Sequence, residues 1–198
     1  VTVRVTAGSL AVAFALGAVI AVLKVLPCRP LRAALAFYTS VFRGVPLIVL
    51  LFIAYFGVPQ LTGWKIDAFT ASVLTLGLNG SATVSETLRG GIEGVDAGQY
   101  DAARALSFRY VPMMAHIIVP QALRSVAPAL VNEVVTVLKS TSLVATIGLM
   151  DMMRAAQSVQ AITYRAFEPF LTVAVVYYAL VMALTALGRA LERRLRAA

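Results

Sequence analysis

The chain has 198 residues, of which 60% are hydrophobic and only 13% are charged, whereas soluble domains are roughly 45–50% apolar and about 25% charged. This composition excludes a disordered chain, a coiled coil and an ordinary soluble enzyme, because the surplus of apolar side chains has to face something other than water. The net charge of +8 comes from basic residues scattered over short segments, which argues against a nucleic-acid-binding face. The single cysteine and single histidine exclude a disulfide within the chain and a cysteine- or histidine-rich metal site.

The hydropathy pattern predicts an all-α, polytopic membrane protein with five transmembrane helices, forming one domain over residues 1–198. A helix needs about 20 apolar residues to cross the bilayer core, and three of the predicted spans contain a long run without any charge. The other two are interrupted, the second by Arg43 and the fourth by Glu133 and Lys139, so an interfacial or re-entrant helix is the alternative there. In chain order, the predicted spans are residues 5–26, 33–57, 68–88, 126–150 and 169–189.

The distribution of positive charge predicts the orientation of these spans. If the N-terminus is outside, the inner segments hold eleven Lys and Arg residues and the outer segments hold four. Because positive charge stays on the cytoplasmic side, the sequence predicts an external N-terminus and a cytoplasmic C-terminus. The turn at residues 27–30 and the long segment over residues 89–125 are then cytoplasmic. The chain begins with Val1 rather than Met, and we expect residues to precede it.

Residues 89–125 form the longest connection between predicted spans. A connection of this length is usually functional or disordered, and this one is not low-complexity. Residues 99–106 are rich in helix formers, which predicts a short helix that a turn at Ser107 ends. Such a short helix is unstable in isolation, so it needs a docking surface on its own spans or on a partner. The segment contains these residues in a fixed register: Asp101, Ala102, Ala103, Ser107, Ile117, Val119 and Pro120.

This register resembles the cytoplasmic motif of membrane permease subunits of type I ABC importers, in the branch that handles polar amino acids. The family motif is Glu-Ala-Ala, three residues, Gly, nine residues, Ile, one residue, Leu-Pro, and the spacing here matches throughout. Three residues depart from it: Asp101 replaces Glu, Ser107 replaces Gly and Val119 replaces Leu. Ser107 is unstrained only if its φ is negative. Further short segments of this chain match sequence motifs of the same subfamily, and they occur in the same order: residues 42–46, 55–59, 86–92, 98–99 and 138–143.

The resemblance implies that the short helix is a coupling helix held in a groove of a cytoplasmic ATPase. We expect Asp101 to lie near the start of this helix, where a carboxylate favours the helix dipole. We expect Ala102 and Ala103 to let a partner approach the helix backbone closely. The residues expected to couple to the ATPase are Gln99, Asp101, Ala102, Ala103, Leu106, Ser107 and Pro120.

The resemblance also implies the partners and the location. These are cytoplasmic ABC ATPase subunits, a second permease subunit of the same or another kind, an extracytoplasmic amino-acid-binding protein and the bilayer of a bacterial cytoplasmic membrane. The chain has no Gly-x-x-x-x-Gly-Lys-Ser/Thr loop for nucleotide phosphates. We therefore expect no cofactor and no enzymatic activity on this chain, with ATP and magnesium held by the partner ATPase.

Polar residues within or beside spans are candidates for the solute path, because they are costly in lipid and usually face a cavity or another helix. Arg43 either faces the interface between permease subunits or the gate, or it pairs with Glu86 or Glu133. Asn79 lies near the middle of the third span and is a candidate to face the path. The complete set of candidates is Arg43, Asn79, Glu86, Asp151, Arg154 and Gln157.

Asp151, Arg154 and Gln157 recur at three-residue spacing, so we expect them to share one helical face. They follow the fourth span on the outer side. An amino acid offers an ammonium, which Asp151 could bind, and a carboxylate, which the planar guanidinium of Arg154 could bind. The alternative is an exposed salt bridge between Asp151 and Arg154, which would contribute little to stability.

Two other functional classes remain as alternatives. The first is an ion-gradient-driven carrier or channel subunit for small polar solutes, but such proteins usually show paired repeats or a carboxylate relay, and this sequence shows neither. The second is an intramembrane hydrolase using Ser81 and His116, which the predicted topology keeps apart. A requirement for ATP during uptake discriminates the importer from the first alternative.

Overall fold

The computed structural model describes residues 1–26 and 28–197. At residues 191 and 194–197 only the backbone is described. Pro27, in the predicted turn after the first span, lies outside the described residues. The described residues confirm the predicted all-α fold. In chain order, the α-helices are α1 (Thr2–Val25), α2 (Arg29–Gly44), α3 (Leu47–Phe52), α4 (Val58–Thr62), α5 (Ala68–Glu93), α6 (Ala97–Ala105), α7 (Tyr110–Met113), α8 (Val119–Ser140), α9 (Met152–Thr163) and α10 (Phe167–Ala197). Two π-helical turns (Ile53–Gly57 and Met114–Ile118) and a 3₁₀ helix (Thr141–Ile147) complete the list.

Helices α1 and α5 pack against each other at close range because glycines line both of them. Gly77 of α5 faces Val12 of α1, and Gly17 of α1 faces Val84 of α5. A methyl group added at Gly77 would lie 2.7 Å from the Val12 Cβ, which is well inside van der Waals contact. In an apolar solvent such as lipid, small residues at an interface let two helix backbones approach closely enough for dispersion to hold them together.

Helix α5 is the centre of the bundle, since it packs against α1, α2, α3 and α8. Its three serine hydroxyls bond within the helix: Ser72, Ser81 and Ser85 each donate a hydrogen bond to a backbone carbonyl three or four residues earlier. A helix that protein covers on several sides can carry such residues without exposing them to lipid. The predicted third span, residues 68–88, lies on this helix.

The predicted second span is a bent pair of helices rather than one continuous helix. Helix α2 and the helical run Leu47–Thr62 are bent by 104° at the break around Pro46. Because Pro46 has no N–H, the carbonyl of Phe42 loses its helical donor at this point. The Nδ2 of Asn79 donates to that carbonyl instead, over 2.5 Å. The central helix thus supplies the hydrogen bond that the proline removes.

Both π-helical turns precede a proline. Gly57 and Ile118, where the two turns end, each stand two residues before a proline, Pro59 and Pro120. A missing proline N–H removes one i→i−4 hydrogen bond, and a wider turn is a usual local adjustment. The second π-helical turn joins α7 to α8 without a break, so one helical run extends from Tyr110 to Ile147. The span predicted from residue 126 therefore begins inside a longer helix.

Within residues 1–26 and 28–197, three helical runs are long and apolar enough to cross a membrane on their own: Thr2–Val25, Tyr110–Ile147 and Phe167–Ala190. The bent pair makes a fourth if it counts as one span. Helix α5 has 26 residues, about 39 Å at the usual rise per residue, which is longer than the roughly 30 Å hydrocarbon core. Helix α5 is not among the runs that are apolar enough to cross on their own, and the count of five spans stays a prediction.

Candidate functional site

Helix α6 forms where the sequence predicts the coupling helix, and local signals define both of its ends. Asp96 is its N-cap, with Oδ1 accepting the N–H of Gly98 at 2.8 Å. At the other end, the N–H of Ser107 donates to the carbonyl of Arg104 at 2.8 Å, and the N–H of Phe108 donates to the carbonyl of Ala103 at 3.0 Å. This pair of bonds is a Schellman motif.

The residue that stands in place of the family's glycine has a left-handed backbone. Ser107 has φ +60°, in the region that glycine enters without steric cost. The sequence left the sign of this φ open, and the structure shows the positive value, which is the case that costs free energy. The turn is therefore made by a residue that carries a steric penalty, and this explains physically why a glycine suits the position.

The motif residues of α6 face two different directions. Asp101, Ala102 and Leu106 are exposed, with 72% of the Leu106 surface accessible. Ala103 is buried in a small apolar cluster with Met113 and Ile118. The expectation that both alanines offer a close approach to a partner is therefore wrong for Ala103, which instead lets α6 pack on its own chain.

The sequence predicted that Asp101 lies near the start of the helix, and this prediction is wrong. Asp96 occupies that place as the N-cap, and Asp101 falls in the second turn of α6. Its carboxylate is 3.4 Å from the Arg104 guanidinium, and both side chains are largely exposed. An exposed pair of this kind contributes little to stability, so both charges stay available at the surface.

Side-chain hydrogen bonds tie α6 to the helices before and after it. The Tyr100 hydroxyl donates to the carbonyl of Ile92, at the end of α5, over 2.9 Å. The Nε2 of Gln121 donates to Oε1 of Gln99 at 3.2 Å, linking α6 to the first turn of α8, where Pro120 also lies. Burial, followed by the nearby Tyr110 and Glu93, raises the pKa of Tyr100, so its hydroxyl stays protonated and can donate at neutral pH. Sequence reasoning missed Tyr100.

Glu86 is bound by two cations, neither of which the sequence suggested as its partner. Lys24, at the end of α1, pairs with its Oε1 and also donates to the hydroxyl of Thr39 at 3.0 Å. Arg89 donates to its Oε2 from Nε at 3.1 Å and from Nη2 at 2.7 Å. The pairing of Glu86 with Arg43, one of the alternatives that the sequence left open, is therefore not formed in the described part of the chain. Lys24 and Glu86 both lie at the cytoplasmic ends of predicted spans, and therefore at the same predicted level of the membrane. This common level was the signal for their pairing that sequence reasoning missed.

Arg43 and Asn79 occupy the bend after α2. Arg43 is exposed in the last turn of α2, and within the described residues it forms no ion pair with Glu86 or Glu133. Asn79 is half-buried, and its amide bonds to the carbonyl of Phe42. In this structure Asn79 thus makes a bond within the protein that stabilises the bend.

Asp151 caps α9 and keeps one carboxylate oxygen free of partners. Its Oδ1 accepts the N–H of Arg154 at 2.8 Å, while its Oδ2 is buried and has no hydrogen-bond partner within the described residues. The residue is 3% exposed, and it borders a cavity of about 380 Å³ between the start of α1 and the start of α9. A buried acceptor without a partner costs free energy, and a donor on a bound molecule would relieve that cost.

Arg154 and Gln157 lie on α9, but the three residues do not form the surface salt bridge considered as an alternative. The Arg154 side chain is exposed, and Asp151 takes its backbone N–H rather than its guanidinium. Gln157 is half-buried one turn farther along. Asp151 precedes the helix as its cap, so only Arg154 and Gln157 share a helical face.

Residues 13–197 match the family described as the binding-protein-dependent transport system inner membrane component. The chain belongs to this family. It is 44% identical to the arginine transport system permease protein ArtQ of Bacillus subtilis (strain 168), over 99% of this chain and 90% of that protein. It is 41% identical to the putative glutamine transport system permease protein GlnP of Rickettsia bellii (strain RML369-C), over 91% of this chain and 83% of that protein.

Solved structures agree with this assignment. The permease matches an amino acid ABC transporter crystallised with histidines at a TM-score of 0.92 and 38% identity, over 98% of this chain and 90% of that one. It also matches the inward-facing MetNI methionine ABC transporter at a TM-score of 0.83 and 19% identity, over 98% of this chain and 92% of that one. The second likeness supports the fold alone.

The comparisons confirm the resemblance stated from the motif blocks. The chain is a membrane permease subunit of an ABC importer, a transport component whose ATPase activity resides in a partner subunit. Membership in this family also gives it an inner-membrane location and, in general terms, ATPase and binding-protein partners. Nothing in the comparisons supports an ion-gradient-driven carrier.

Proposed function

We propose that this permease moves polar amino acids across the cytoplasmic membrane as one half of a pore that a second permease subunit completes. The names of the relatives support this class of solute, since they refer to arginine and glutamine transport. An extracytoplasmic binding protein delivers the amino acid, and a pair of cytoplasmic ATPases drives the conformational change. The N-terminus is external and the C-terminus cytoplasmic, an orientation that the excess of inner Lys and Arg residues supports.

The observation that carries the proposal is the way α6 is held. One face packs on the chain through Ala103, and the other presents Asp101, Ala102 and Leu106 to the surrounding solution. Only residues 94–96 separate α6 from the central helix α5, and a short turn separates it from the run that begins at Tyr110. A force applied to α6 therefore acts on two membrane helices at once. ATP binding and hydrolysis then shift the population between inward-open and outward-open states by differential binding.

The proposed contact for the solute is the free oxygen of Asp151. The ammonium of an amino acid would give this buried Oδ2 the hydrogen bond and the counter-charge that the chain does not. Arg154, which is exposed on the next turn, would bind the carboxylate, and Gln157 would bond to a polar side chain of the solute. A charge-assisted bond of this kind is about twice as strong as a neutral one. Arg43, Asn79 and Glu86 are engaged elsewhere or lie apart, and we assign them no solute contact.

Reconstitution in liposomes tests the proposed function. The permease, its ATPase and its binding protein are assembled together, and uptake of labelled arginine, glutamine and histidine is measured with ATP inside the vesicles. We expect uptake that requires hydrolysable ATP and continues when ionophores collapse the proton and sodium gradients. Uptake that persists without ATP and stops with the ionophores would contradict the proposal and favour a gradient-driven carrier.

The variant Asp151→Asn tests the solute contact specifically. Asparagine keeps the acceptor that caps α9, so the helix start is preserved while the negative charge is lost. A hydrogen bond to a charged group contributes about 1.5–3 kcal/mol, so we expect KM for uptake to rise about tenfold or more. Glu168→Gln is the matched control, because it removes a carboxylate that is 61% exposed. Unchanged uptake kinetics in an Asp151→Asn, Arg154→Gln double variant would rule out this contact.

A further inference from the structure

A polar cavity of about 740 Å³ opens at the end of the bundle where α1 ends, α2 begins and α5 ends. It lies next to the predicted coupling segment, since a second cavity of about 270 Å³, bordered by the same Lys24, Arg32 and Arg89, continues to Tyr100 and Tyr110. Two alanines of α2 form one wall of the larger cavity. The remaining lining residues are all charged: Lys24, Arg29, Arg32, Glu86, Arg89 and Glu93.

The two carboxylates of this cavity are already neutralised by two of its cations. Glu86 is shared between Lys24 and Arg89, and Glu93 accepts a hydrogen bond from Arg89 at 2.6 Å. The side chains of Arg29 and Arg32 are exposed, and neither is paired with a carboxylate within the described residues. The cavity therefore carries two positive charges in excess, and both belong to one turn of α2.

The backbone adds to this excess at the same place. Helix α2 has 16 residues and begins at Arg29, with Cys28 as an N-cap that makes no side-chain hydrogen bond and with no acidic residue in its first turn. Pro30 has no N–H, so Arg29 and Leu31 carry the backbone donors of this helix start, and no acidic side chain of the first turn offsets the positive end of the dipole, which favours an anion. Two guanidinium groups, whose planar donor pairs match phosphate oxygens, stand beside that helix end.

We propose that this cavity binds a phosphate group through Arg29, Arg32 and the N-terminus of α2, and that the phosphate is that of an anionic lipid headgroup. The position of the cavity relative to the membrane supports a lipid. The cavity begins at Lys24, directly after the apolar run of α1, which is the level where the headgroups of a bilayer would lie. Basic pockets between membrane helices are known to attract anionic headgroups electrostatically. Free inorganic phosphate offers the same chemistry, and the experiment separates the two sources.

The test uses the permease assembled with its partner subunits in nanodiscs. One set contains phosphatidylcholine with a small fraction of phosphatidylglycerol, and lipid retained after detergent exchange is counted by native mass spectrometry. A second set contains phosphatidylcholine only, and binding of inorganic phosphate is measured by calorimetry. An Arg29→Gln, Arg32→Gln variant is compared with an Arg124→Gln, Arg189→Gln control, which loses the same charge at two exposed arginines outside the cavity.

We expect the Arg29→Gln, Arg32→Gln variant to retain phosphatidylglycerol about thirtyfold less tightly than the unaltered chain, with each basic residue contributing roughly fivefold, and the control to retain it normally. Phosphate binding in the second set with the same arginine dependence, and no retained lipid in the first, would assign the site to a free phosphate and overturn the lipid source. Retention that survives the substitutions, or that falls equally in the control, would overturn the site itself.

A photoactivatable phosphatidylglycerol gives a measurement that does not depend on a variant folding. We expect it to crosslink the unaltered permease at peptides covering residues 24–36, where α1 ends and α2 begins. Crosslinks confined to α10, whose apolar residues face outward in the described structure, would mean that lipid contacts the bundle only through its apolar surface, and would contradict the proposal.

Discussion

Replacing Leu106 with Ser removes the largest apolar side chain on the outer face of α6. In this chain Leu106 is 72% exposed, so the substitution creates no cavity and leaves the fold nearly unchanged. Surface substitutions of this kind usually alter stability by less than about 0.5 kcal/mol. If the ATPase receives α6 in a groove, the same side chain becomes buried in the assembled transporter and its loss weakens the complex.

The expected size of the effect follows from that exposure. Full burial of a leucine side chain is worth about 1.5–3 kcal/mol relative to leaving it in water. Because roughly seven-tenths of Leu106 is still available for burial, docking would gain about 1–2 kcal/mol from it. The dissociation constant between the permease and its ATPase should therefore rise about fivefold to thirtyfold in the variant.

Affinity is measured by titrating the purified ATPase onto the permease in nanodiscs, and solute-stimulated ATP turnover is recorded in parallel. The matched control is Leu61→Ser, because Leu61 is 88% exposed but lies in α4, far along the chain from α6. We expect the control to bind the ATPase normally. Equal affinities for Leu106→Ser and the unaltered chain, with both proteins equally stable, would refute docking through this face of α6.

Three further predictions, the first with its own control substitution, test how the helices and the turn after α6 are held. Gly77→Ala should lower the free energy of unfolding by about 1–3 kcal/mol, because the added methyl group overpacks against α1. Gly90→Ala is the control, since a methyl group there meets nothing within 4 Å, and it should raise the free energy of unfolding by about 0.5–1 kcal/mol. Equal effects of the two substitutions in thermal unfolding would contradict the close approach of α1 and α5. Asn79→Leu should cost about 1–3 kcal/mol by leaving the half-buried carbonyl of Phe42 without a donor, and an unchanged melting temperature would refute that role. Ser107→Gly should raise stability by up to about 1 kcal/mol because it relieves the left-handed strain, and a lowered melting temperature would show that Ser107 is not strained.

The local signals of the sequence were sufficient for the class of fold and for the coupling segment. Apolar runs and scattered basic residues predict membrane helices, and the register around Asp101 and Pro120 predicts the short helix that the structure shows as α6. These are properties of neighbouring residues, so they can be read along the chain. Which side chains of α6 face the protein and which face outward could not be read in this way. Ala102 and Ala103 are adjacent, yet Ala103 is buried and Ala102 is exposed, because the packing of α6 on Met113 and Ile118 decides between them.

The sequence by itself determined that this protein is a helical membrane component, where its apolar segments lie and which family it resembles, because hydropathy and motif spacing depend only on the order of residues. The tertiary structure alone decided the polar partners. Glu86 pairs with Lys24, which is 62 residues away, and the amide of Asn79 replaces the hydrogen bond that Pro46 removes from Phe42. A buried polar group is satisfied by whichever donor the fold brings near it, and that neighbour depends on how the helices cross rather than on any pattern within one of them.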